Sequence, residues 1–557
     1  MSCRPLLAWC LLLVLAAGRC PTATADDASN AVATSASSAA TEVAVSKLSI
    51  HAGQALEGPI VLRGRDARQQ LVVLAEMAKP GDAAPKLRDA TRDVNFALAP
   101  PGIVSIDASG YIVPLADGKA MLNVALPGGP SASRAVQVEG FDHELPVNFP
   151  NQIVPIFTRF GCNGGGCHGK SGGQNGFRLS LLGFEPGEDY EHLVKEGRGR
   201  RLFPAAPERS LLLAKATNEL PHGGGPRMER DSHEYRLLAR WIGQGMPYGS
   251  ASDPTVAKIT VFPGARSMSR ATAQQLIVLA HYSDGSIEDV TRLAKYEAND
   301  TEMAEVSPRG LVRTLDLAGD VTIMARYQGS VAVFQATVPL GATVEQLPPA
   351  KNFIDELVFK KLVALGLPPS EVCDDATFLR RATIDIAGRL PTVEEAEAFI
   401  SDPASNKREQ LVDRLLASGD YADYFANKWS ALLRNRRRQP SFMHGTYRFH
   451  EWIRDSLYHN MPYDEFVRSI LAASGEVDDH PPVTWYREVK DTEQQVEDSA
   501  QLFLGMRIQC ARCHHHPFEK WSQRDYYSYG AFFAQVGRKP GVGIDEQVIF
   551  HKRGSAG

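Results

Sequence analysis

The amino-acid sequence predicts a multidomain protein in which two all-β sandwiches flank a small, mainly α domain, and a mainly α-helical domain follows. Three observations support this prediction. A pattern of short strands occurs twice, a glycine-rich segment closed by one helix lies between the two copies, and apolar residues recur at helical spacing from about residue 350. A chain of 557 residues is also too long for one hydrophobic core. We therefore expect several domains in series.

The N-terminus has the pattern of a secretory signal peptide, predicted over residues 1–25. A basic residue precedes an apolar run, and the small residues Ala23-Thr24-Ala25 stand at the expected cleavage point. Residues 26–45, mostly Ala, Ser and Thr, predict a flexible linker. No later apolar run reaches the roughly 18 residues that a membrane span needs, so we expect none in the mature chain. The chain is therefore expected to be exported to the periplasm or cell surface.

The charge balance gives no indication of a nucleic-acid partner. The chain has 60 basic and 65 acidic residues, a formal net charge of −5. A protein that neutralises many phosphates usually carries a marked basic excess. We expect no nucleic acid among its partners.

The internal repeat predicts the two β-sandwiches. The run Gln69–Ala75 recurs as Gln274–Ala280, and Asp89-Ala90-Thr91-Arg92 recurs as Asp289-Val290-Thr291-Arg292. Short strands separated by turn residues, such as the hairpin turn Tyr282-Ser283-Asp284-Gly285, are typical of a sandwich. The copies are predicted over residues 46–142 and 254–342. Both resemble bacterial immunoglobulin-like domains of group 2, and this resemblance implies a spacer or adhesion role.

A small domain is predicted between the copies, over residues 146–250. Its closing helix is expected to begin at Asp231 as the N-cap, with Glu234 as the capping-box partner. The apolar residues that share one face of this helix are Leu237, Leu238, Trp241 and Ile242.

This small domain carries the strongest chemical motif, Cys162-Asn163-Gly164-Gly165-Gly166-Cys167-His168. Covalent haem attachment needs two thiols and an adjacent imidazole as an iron ligand. The usual spacer is two residues; here it is four, and its glycines allow the loop to bulge. A disulfide between the two cysteines and a zinc half-site remain alternatives. The preferred interpretation is haem c held by Cys162, Cys167 and His168.

Two residues downstream are candidates for the sixth ligand of that iron. His222 lies in Pro-His-Gly-Gly-Gly and Met228 in Pro-Arg-Met, both just before the closing helix. His222 could equally be a turn residue, and Met228 could pack beneath the helix. The sequence leaves the choice between them open.

The surrounding residues resemble the planctomycete-type cytochrome c domain. The resemblance rests on Phe160–Gly169, Asn175–Leu181, Arg200-Arg201, Pro207–Leu212 and Pro221–Gly225. It implies that Cys162, Cys167 and His168 carry the haem and that His222 lies in a characteristic loop.

A second motif, Cys510-Ala511-Arg512-Cys513-His514, has the usual two-residue spacer. His515 and His516 follow it directly. Imidazoles and thiolates also suit zinc and other metals, and a Cys-x-x-Cys pair can be a redox dithiol. A second haem on Cys510, Cys513 and His514, another metal held with His516, and a redox pair therefore all remain open.

The region 350–535 is predicted to be α-helical and to carry this second motif, with a tail over 536–557. It is similar to the uncharacterised helical domain that accompanies these cytochrome domains and that has Cys-x-x-Cys-His-x-His-Pro-Phe. That family has no established reaction, so the resemblance implies no mechanism.

The sequence favours an exported c-type cytochrome that carries electrons to or from a redox partner protein, anchored in an envelope assembly by its immunoglobulin-like modules. The alternative is a surface adhesion or polysaccharide-binding protein whose cysteine motifs hold structural metal. A third possibility is an enzyme in the helical domain that uses the cluster His514–His516. The sequence shows no paired acid and base of convincing specificity, so this possibility ranks below the other two. Envelope proteins or cell-surface polysaccharide are the further partners that these hypotheses imply.

Overall fold

The computed structural model describes residues 45–54, 58–77, 86–144, 146–169, 172–513, 521–543 and 545–553. The predicted signal peptide and almost all of the predicted linker lie outside the described residues. Within those residues, no helix has the length and apolar character needed to cross a bilayer.

In its described residues, the first sandwich has ten strands. They are β1 Val45–His51, β2 Ile60–Arg63, β3 Gln69–Gln70, β4 Val72–Met77, β5 Lys86–Asp89, β6 Asn95–Ala99, β7 Val104–Ile106, β8 Tyr111–Pro114, β9 Gly118–Ala125 and β10 Ser131–Glu139. They form three sheets with the orders β1-β4-β5, β2-β10-β9-β6 and β3-β8-β7. Leu71, Leu122 and Val136 are fully buried in the shared core, which the alternating apolar residues of each strand fill.

The second sandwich repeats this topology strand for strand. Its strands are β11 Val256–Phe262, β12 Ala265–Ser267, β13 Ala273–Gln275, β14 Ile277–Tyr282, β15 Ile287–Asp289, β16 Lys295–Ala298, β17 Ala304–Val306, β18 Leu311–Thr314, β19 Gly319–Tyr327 and β20 Ser330–Val338. Their sheet orders, β11-β14-β15, β12-β20-β19-β16 and β13-β18-β17, match those of the first copy. The predicted hairpin turn joins β14 to β15, with Gly285 at φ +84°. The sequence repeat is thus a structural repeat.

The segment between the sandwiches is mainly helical. Its helices are α1 Val154–Arg159, α2 Pro186–Tyr190, α3 Leu211–Ala216 and α4 His233–Gly243, with short helical turns at Phe149–Ile153, Leu181–Gly183, Glu191–Lys195, Glu196–Gly199 and Pro207–Arg209. The predicted apolar face of α4 is buried as expected. The predicted N-cap is wrong: Ser232, not Asp231, accepts the hydrogen bond from the Tyr235 amide, because Asp231 has a positive φ of 62°.

Both sandwiches contact this middle domain. Arg68 of the first sandwich lies 2.9 Å from His233 Nδ1, and Asp66 forms an ion pair with Arg240. From the second sandwich, the Tyr327 hydroxyl donates to the Asn151 carbonyl at 2.9 Å. The middle domain is therefore fastened on two sides.

The C-terminal region is helical, as predicted. Its helices are α5 Phe353–Leu365, α6 Asp375–Ala387, α7 Val393–Ser401, α8 Lys407–Leu416, α9 Gly419–Leu432, α10 Met443–Tyr458, α11 Tyr463–Leu471, α12 Trp485–Glu488, α13 Thr492–Leu504 and α14 Gln523–Gly530, with short turns at Pro440–Phe442, Pro481–Thr484 and Gln509–Arg512. Its main core surrounds Phe449, Ile453 and Trp485.

The segment after α14 differs from the expected tail. It forms the antiparallel hairpin β21 Val536–Pro540 and β22 Gln547–His551. Ile549 of this hairpin is 3% exposed within the helical core, and its amide and carbonyl pair with Gly475. The short apolar run around Ile549 thus completes the core of the helical region.

Candidate functional site

The loop that carries Cys162, Cys167 and His168 begins where α1 ends. Gly161 has a φ of +71°, which ends the helix at little steric cost. The Cys162 amide then donates to the Phe157 carbonyl at 2.8 Å, and the His168 amide donates to the Cys162 carbonyl at 2.9 Å. The four-residue spacer therefore forms a closed loop that brings His168 back to Cys162.

Asn163 anchors this loop to the domain. Its side chain is fully buried and donates to the Thr158 hydroxyl at 2.8 Å, while its carbonyl accepts from the Leu182 amide at 3.0 Å. Gly169 lies so close that a Cβ there would be 1.9 Å from the Asn163 carbonyl oxygen. In the sequence, Asn163 stands only as a spacer residue between the two cysteines, since no local pattern marks it as an anchor.

His168 and His222 are oriented in the same way. Nδ1 of His168 lies 2.9 Å from the Phe177 carbonyl, and Nδ1 of His222 lies 2.9 Å from the Gly225 carbonyl. Because a carbonyl oxygen only accepts, each Nδ1 must carry the proton in the neutral ring. Each Nε2 is then left with a lone pair, which is the state in which histidine binds a metal.

The two imidazoles also lie parallel to each other. Their ring centroids are 6.4 Å apart and their planes differ by 7°. Two imidazoles on opposite sides of one metal ion, with bonds of about 2 Å to each nitrogen, would have centroids roughly 6 Å apart. The separation of His168 and His222 is therefore compatible with both imidazoles holding one metal ion.

The two cysteines of this site are free thiols. Burial raises the pKa of Cys162 to about 11, so this thiol stays protonated at neutral pH. Arg227 Nη2 lies 3.8 Å from Sγ of Cys167. Burial also lowers the pKa of His168, which favours its neutral form. The donor set, two thiols and two neutral imidazoles, fits a covalently attached haem.

Met228 occupies a different environment from His222. It is 7% exposed and belongs to the apolar core of the middle domain, together with Tyr235 and Trp241. Its amide and that of Arg227 both donate to the Ala216 carbonyl. The structure thus places His222 beside His168. Met228 instead packs in the apolar core, which was the alternative role predicted for it.

The segment after the loop supports His168 from the other side. The Leu179 amide donates to the His168 carbonyl at 2.8 Å. The Phe177 ring lies 4.6 Å from the imidazole, and the Arg201 guanidinium stacks on that ring at 4.8 Å. Arg201 also donates to the Gly176 carbonyl at 2.7 Å. These contacts position the Phe177 carbonyl that orients His168.

Asp189 ties the same segment to α2. Its carboxylate accepts from both the amide and the hydroxyl of Ser180, and it is fully buried. Burial raises the pKa of Asp189 to about 6.

We expect the stability of the middle domain to fall as the pH rises from about 4 to about 6. An unfolded carboxyl titrates near pH 4, so the folded form holds its proton more tightly, and ionisation over this window costs up to about 3 kcal/mol. Asp189→Asn should remove this contribution and flatten the pH dependence. Hydrogen exchange of the α4 amides at several pH values measures the effect. Identical slopes for wild type and variant would contradict the assignment.

The second motif is only partly described. Cys510 and Cys513 are exposed free thiols at the turn Gln509–Arg512. The carbonyl of Arg512 accepts hydrogen bonds from Gln523 at 3.1 Å and from Tyr527 at 3.3 Å, which hold the turn against α14. His514 and His516 lie outside the described residues. What occupies this site stays a prediction.

Within the described ranges, no three His, Cys, Asp or Glu side chains are grouped so that they could hold a metal ion. At the first motif, Cys162 and Cys167 are free thiols and the rings of His168 and His222 are parallel.

Residues 353–538 match the family model PSCyt2, described as a protein of unknown function (DUF1549). This match confirms the predicted similarity of the helical region to that uncharacterised domain. A comparison with curated proteins gave no match.

Among solved structures, the chain is similar to the S-layer protein SbsC at 11% identity. The match covers 60% of this chain and 33% of that chain, with a TM-score of 0.15. A fragment of the same protein, domains 5–6, matches at 11% identity over 53% of this chain and 98% of the fragment, with a TM-score of 0.22. Invasin, a bacterial integrin-binding protein, matches at 10% identity over 52% of this chain and 59% of its own, with a TM-score of 0.11. The chain spans about a third of the first S-layer chain.

Proposed function

We propose that the middle domain binds one covalently attached haem and that the protein is an exported c-type cytochrome. Cys162 and Cys167 would hold the porphyrin, and His168 and His222 would bind its iron. The observation that carries this proposal is the parallel pair of imidazoles, 6.4 Å apart, beside two free thiols. A bound haem supplies one-electron chemistry.

Covalent attachment would use the thiols of Cys162 and Cys167, which are free in the structure. Each thiol would form one thioether with a haem vinyl group, its hydrogen passing to the neighbouring vinyl carbon. The reaction needs no external oxidant. The closed loop keeps the two thiols and His168 on one short stretch of chain.

The protein's contribution to electron transfer is orientation and burial. The Phe177 and Gly225 carbonyls fix the imidazole rings and increase the basicity of Nε2 through the Nδ1 hydrogen bonds. The apolar core around Phe157 and Trp241 keeps water from one side of the site. These two factors adjust the reduction potential, and the chain exchanges electrons with a redox partner protein in the periplasm or at the cell surface.

The β-sandwiches serve as the structural part of this proposal. They fasten the middle domain from two sides through Asp66, Arg68 and Tyr327. Envelope proteins or surface polysaccharide would be bound through their outer surfaces.

The test is the covalent haem content of the full chain, produced in a host that attaches haem to cytochromes c. Wild-type protein should retain haem after denaturation and acid extraction. By mass spectrometry, the peptide containing Cys162 and Cys167 should be heavier by the mass of one haem. The double variant Cys162→Ala/Cys167→Ala should lose that haem, whereas Cys373→Ala should not. A chain without covalent haem, or a double variant with unchanged haem content at this peptide, would overturn the proposal. Cys510→Ala/Cys513→Ala shows in the same assay whether the second motif carries a haem.

The axial ligand is tested by a matched pair of variants. His222→Ala should convert the absorption spectrum from that of a six-coordinate, low-spin haem to that of a five-coordinate, high-spin haem. Met228→Leu preserves core volume and should leave the spectrum unchanged. The opposite pattern would assign the ligand to Met228.

A further inference from the structure

The first four residues of strand β4, Val72–Ala75, and of its counterpart β14, Ile277–Ala280, are all apolar. Both faces of these strands are therefore apolar there, which is unusual for a strand in an antiparallel sandwich. Alternate residues of β4 point into the core of their own sandwich. The intervening residues Val72 and Leu74 form a separate cluster with Ile277 and Leu279 of the second sandwich, and all four are at most 2% exposed. The two sandwiches therefore bury an apolar face against each other.

Reciprocal hydrogen bonds surround this cluster. Oδ2 of Asp289 accepts from the Gln70 amide at 2.7 Å and from the Gln69 side chain at 2.8 Å. In the other direction, Oδ2 of Asp89 accepts from the Gln275 amide at 2.5 Å and from the Gln274 side chain at 3.4 Å. The same residue types thus make the same contacts in both directions.

Each aspartate is held in place by its own sandwich. Oδ1 of Asp89 accepts from the Thr91 amide at 2.8 Å, and Oδ1 of Asp289 accepts from the Thr291 amide at the same distance. The threonine hydroxyls in turn accept from the Val73 amide on one side and from Val278 on the other. One oxygen of each carboxylate therefore fixes the local loop, and the other reaches the opposite sandwich.

An interface in which the same patch meets itself is isologous, the arrangement of a two-fold dimer. Here it is formed within one chain by two copies of one motif, Gln-Gln-Leu-(Val/Ile)-Val-Leu-Ala with Asp-x-Thr-Arg. The repeated residues thus have two roles: some fill the core of their own sandwich, and others form the contact between the two sandwiches. Left uncovered, the outward apolar residues would expose a patch of the kind that promotes association.

We propose that this face is a homotypic assembly element, and that the partner it fits is the same face of a second copy of this chain. Within one chain the two copies satisfy each other. Because each face is covered by the other within one chain, it becomes available only where the contact between the two sandwiches opens. The exposed face then binds the same face of another chain, with Asp89 of one chain placed to accept from the Gln70 amide of the other. The element is independent of any cofactor in the middle domain.

The test uses the full chain and light scattering after size-exclusion chromatography. Ile277→Lys/Leu279→Lys should disrupt the contact between the sandwiches and expose the apolar face of the first sandwich. The variant should then form a particle of twice the wild-type mass. Adding Val72→Lys/Leu74→Lys to that variant should return the mass to the wild-type value, because both faces are then charged. As a control for added charge, Met121→Lys/Val333→Lys alters exposed positions on other strands and should leave the mass unchanged.

The mirror variant Val72→Lys/Leu74→Lys alone provides an independent second test, since it frees the face of the second sandwich. It should also double the mass, with circular dichroism unchanged from wild type. If neither two-substitution variant associates, or if the four-substitution variant associates as strongly as they do, the proposal is wrong.

Discussion

Replacing Trp241 by alanine is expected to lower the free energy of unfolding of the middle domain by about 3–5 kcal/mol. Trp241 lies on α4, is fully buried, and its ring centroid is 5.3 Å from that of Phe149. Its indole N–H donates to the Pro247 carbonyl at 2.9 Å, which ties the end of the domain to α4. Alanine removes the largest side chain of this core and leaves a cavity that its neighbours fill only in part.

Hydrogen exchange of the α4 amides measures this loss within the one domain. At about 1.4 kcal/mol for each tenfold change, exchange should accelerate about a hundredfold or more. Trp241→Phe is the matched control, because it keeps most of the volume and loses mainly the hydrogen bond to Pro247, at a cost of roughly 1–3 kcal/mol. Equal effects of the two variants would show that the cavity is not the cause.

Replacing Gly169 by alanine is expected to disrupt the loop that holds Cys162, Cys167 and His168. The added Cβ would lie 1.9 Å from the Asn163 carbonyl oxygen, which is backbone and cannot move without moving the loop. The cost is about 1–3 kcal/mol or more, as for other overpacked sites. We expect Cys162 to become more accessible as the loop shifts.

Gly166→Ala is the control for this second prediction, because a Cβ at Gly166 meets no atom within 4 Å. Alkylation of the chain before haem attachment, mapped by mass spectrometry, gives the rate at each cysteine. Cys162 should react faster in Gly169→Ala than in wild type or in Gly166→Ala, and Cys373 should react equally in all three. Unchanged labelling of Cys162 in Gly169→Ala would show that the close approach does not hold the loop.

The helices and strands were largely predictable because their signals are local. The spacing of Leu237, Leu238 and Trp241 predicted the buried face of α4, and the helical spacing after residue 350 predicted the C-terminal region. The N-cap of α4 was missed because Asp231 and Ser232 are both good capping residues. The choice between them depended on the backbone, because Asp231 has a positive φ and Ser232 takes the N-cap position.

The candidate site was predictable in its residue types and only partly in its arrangement. His222 and Met228 lie six positions apart in one loop, so spacing could not decide which of them meets His168. The structure separates them through burial, because the thioether suits the apolar core while the imidazole takes the Gly225 carbonyl. Asn163, the anchor of the loop, acts through Thr158 and Leu182, and neither contact leaves a pattern around Asn163 itself.

By itself, the sequence determined the repeat, the alternation of β and helical regions, and the residue types of the two Cys-His motifs. These follow from periodicity and from the side chains present, which are properties of neighbouring residues. Only the tertiary structure decided that the two repeats pair through Val72, Leu74, Ile277 and Leu279, and that His168 and His222 lie parallel at 6.4 Å. Both arrangements join residues more than 50 positions apart, and the burial that brings them together depends on the packing of whole domains.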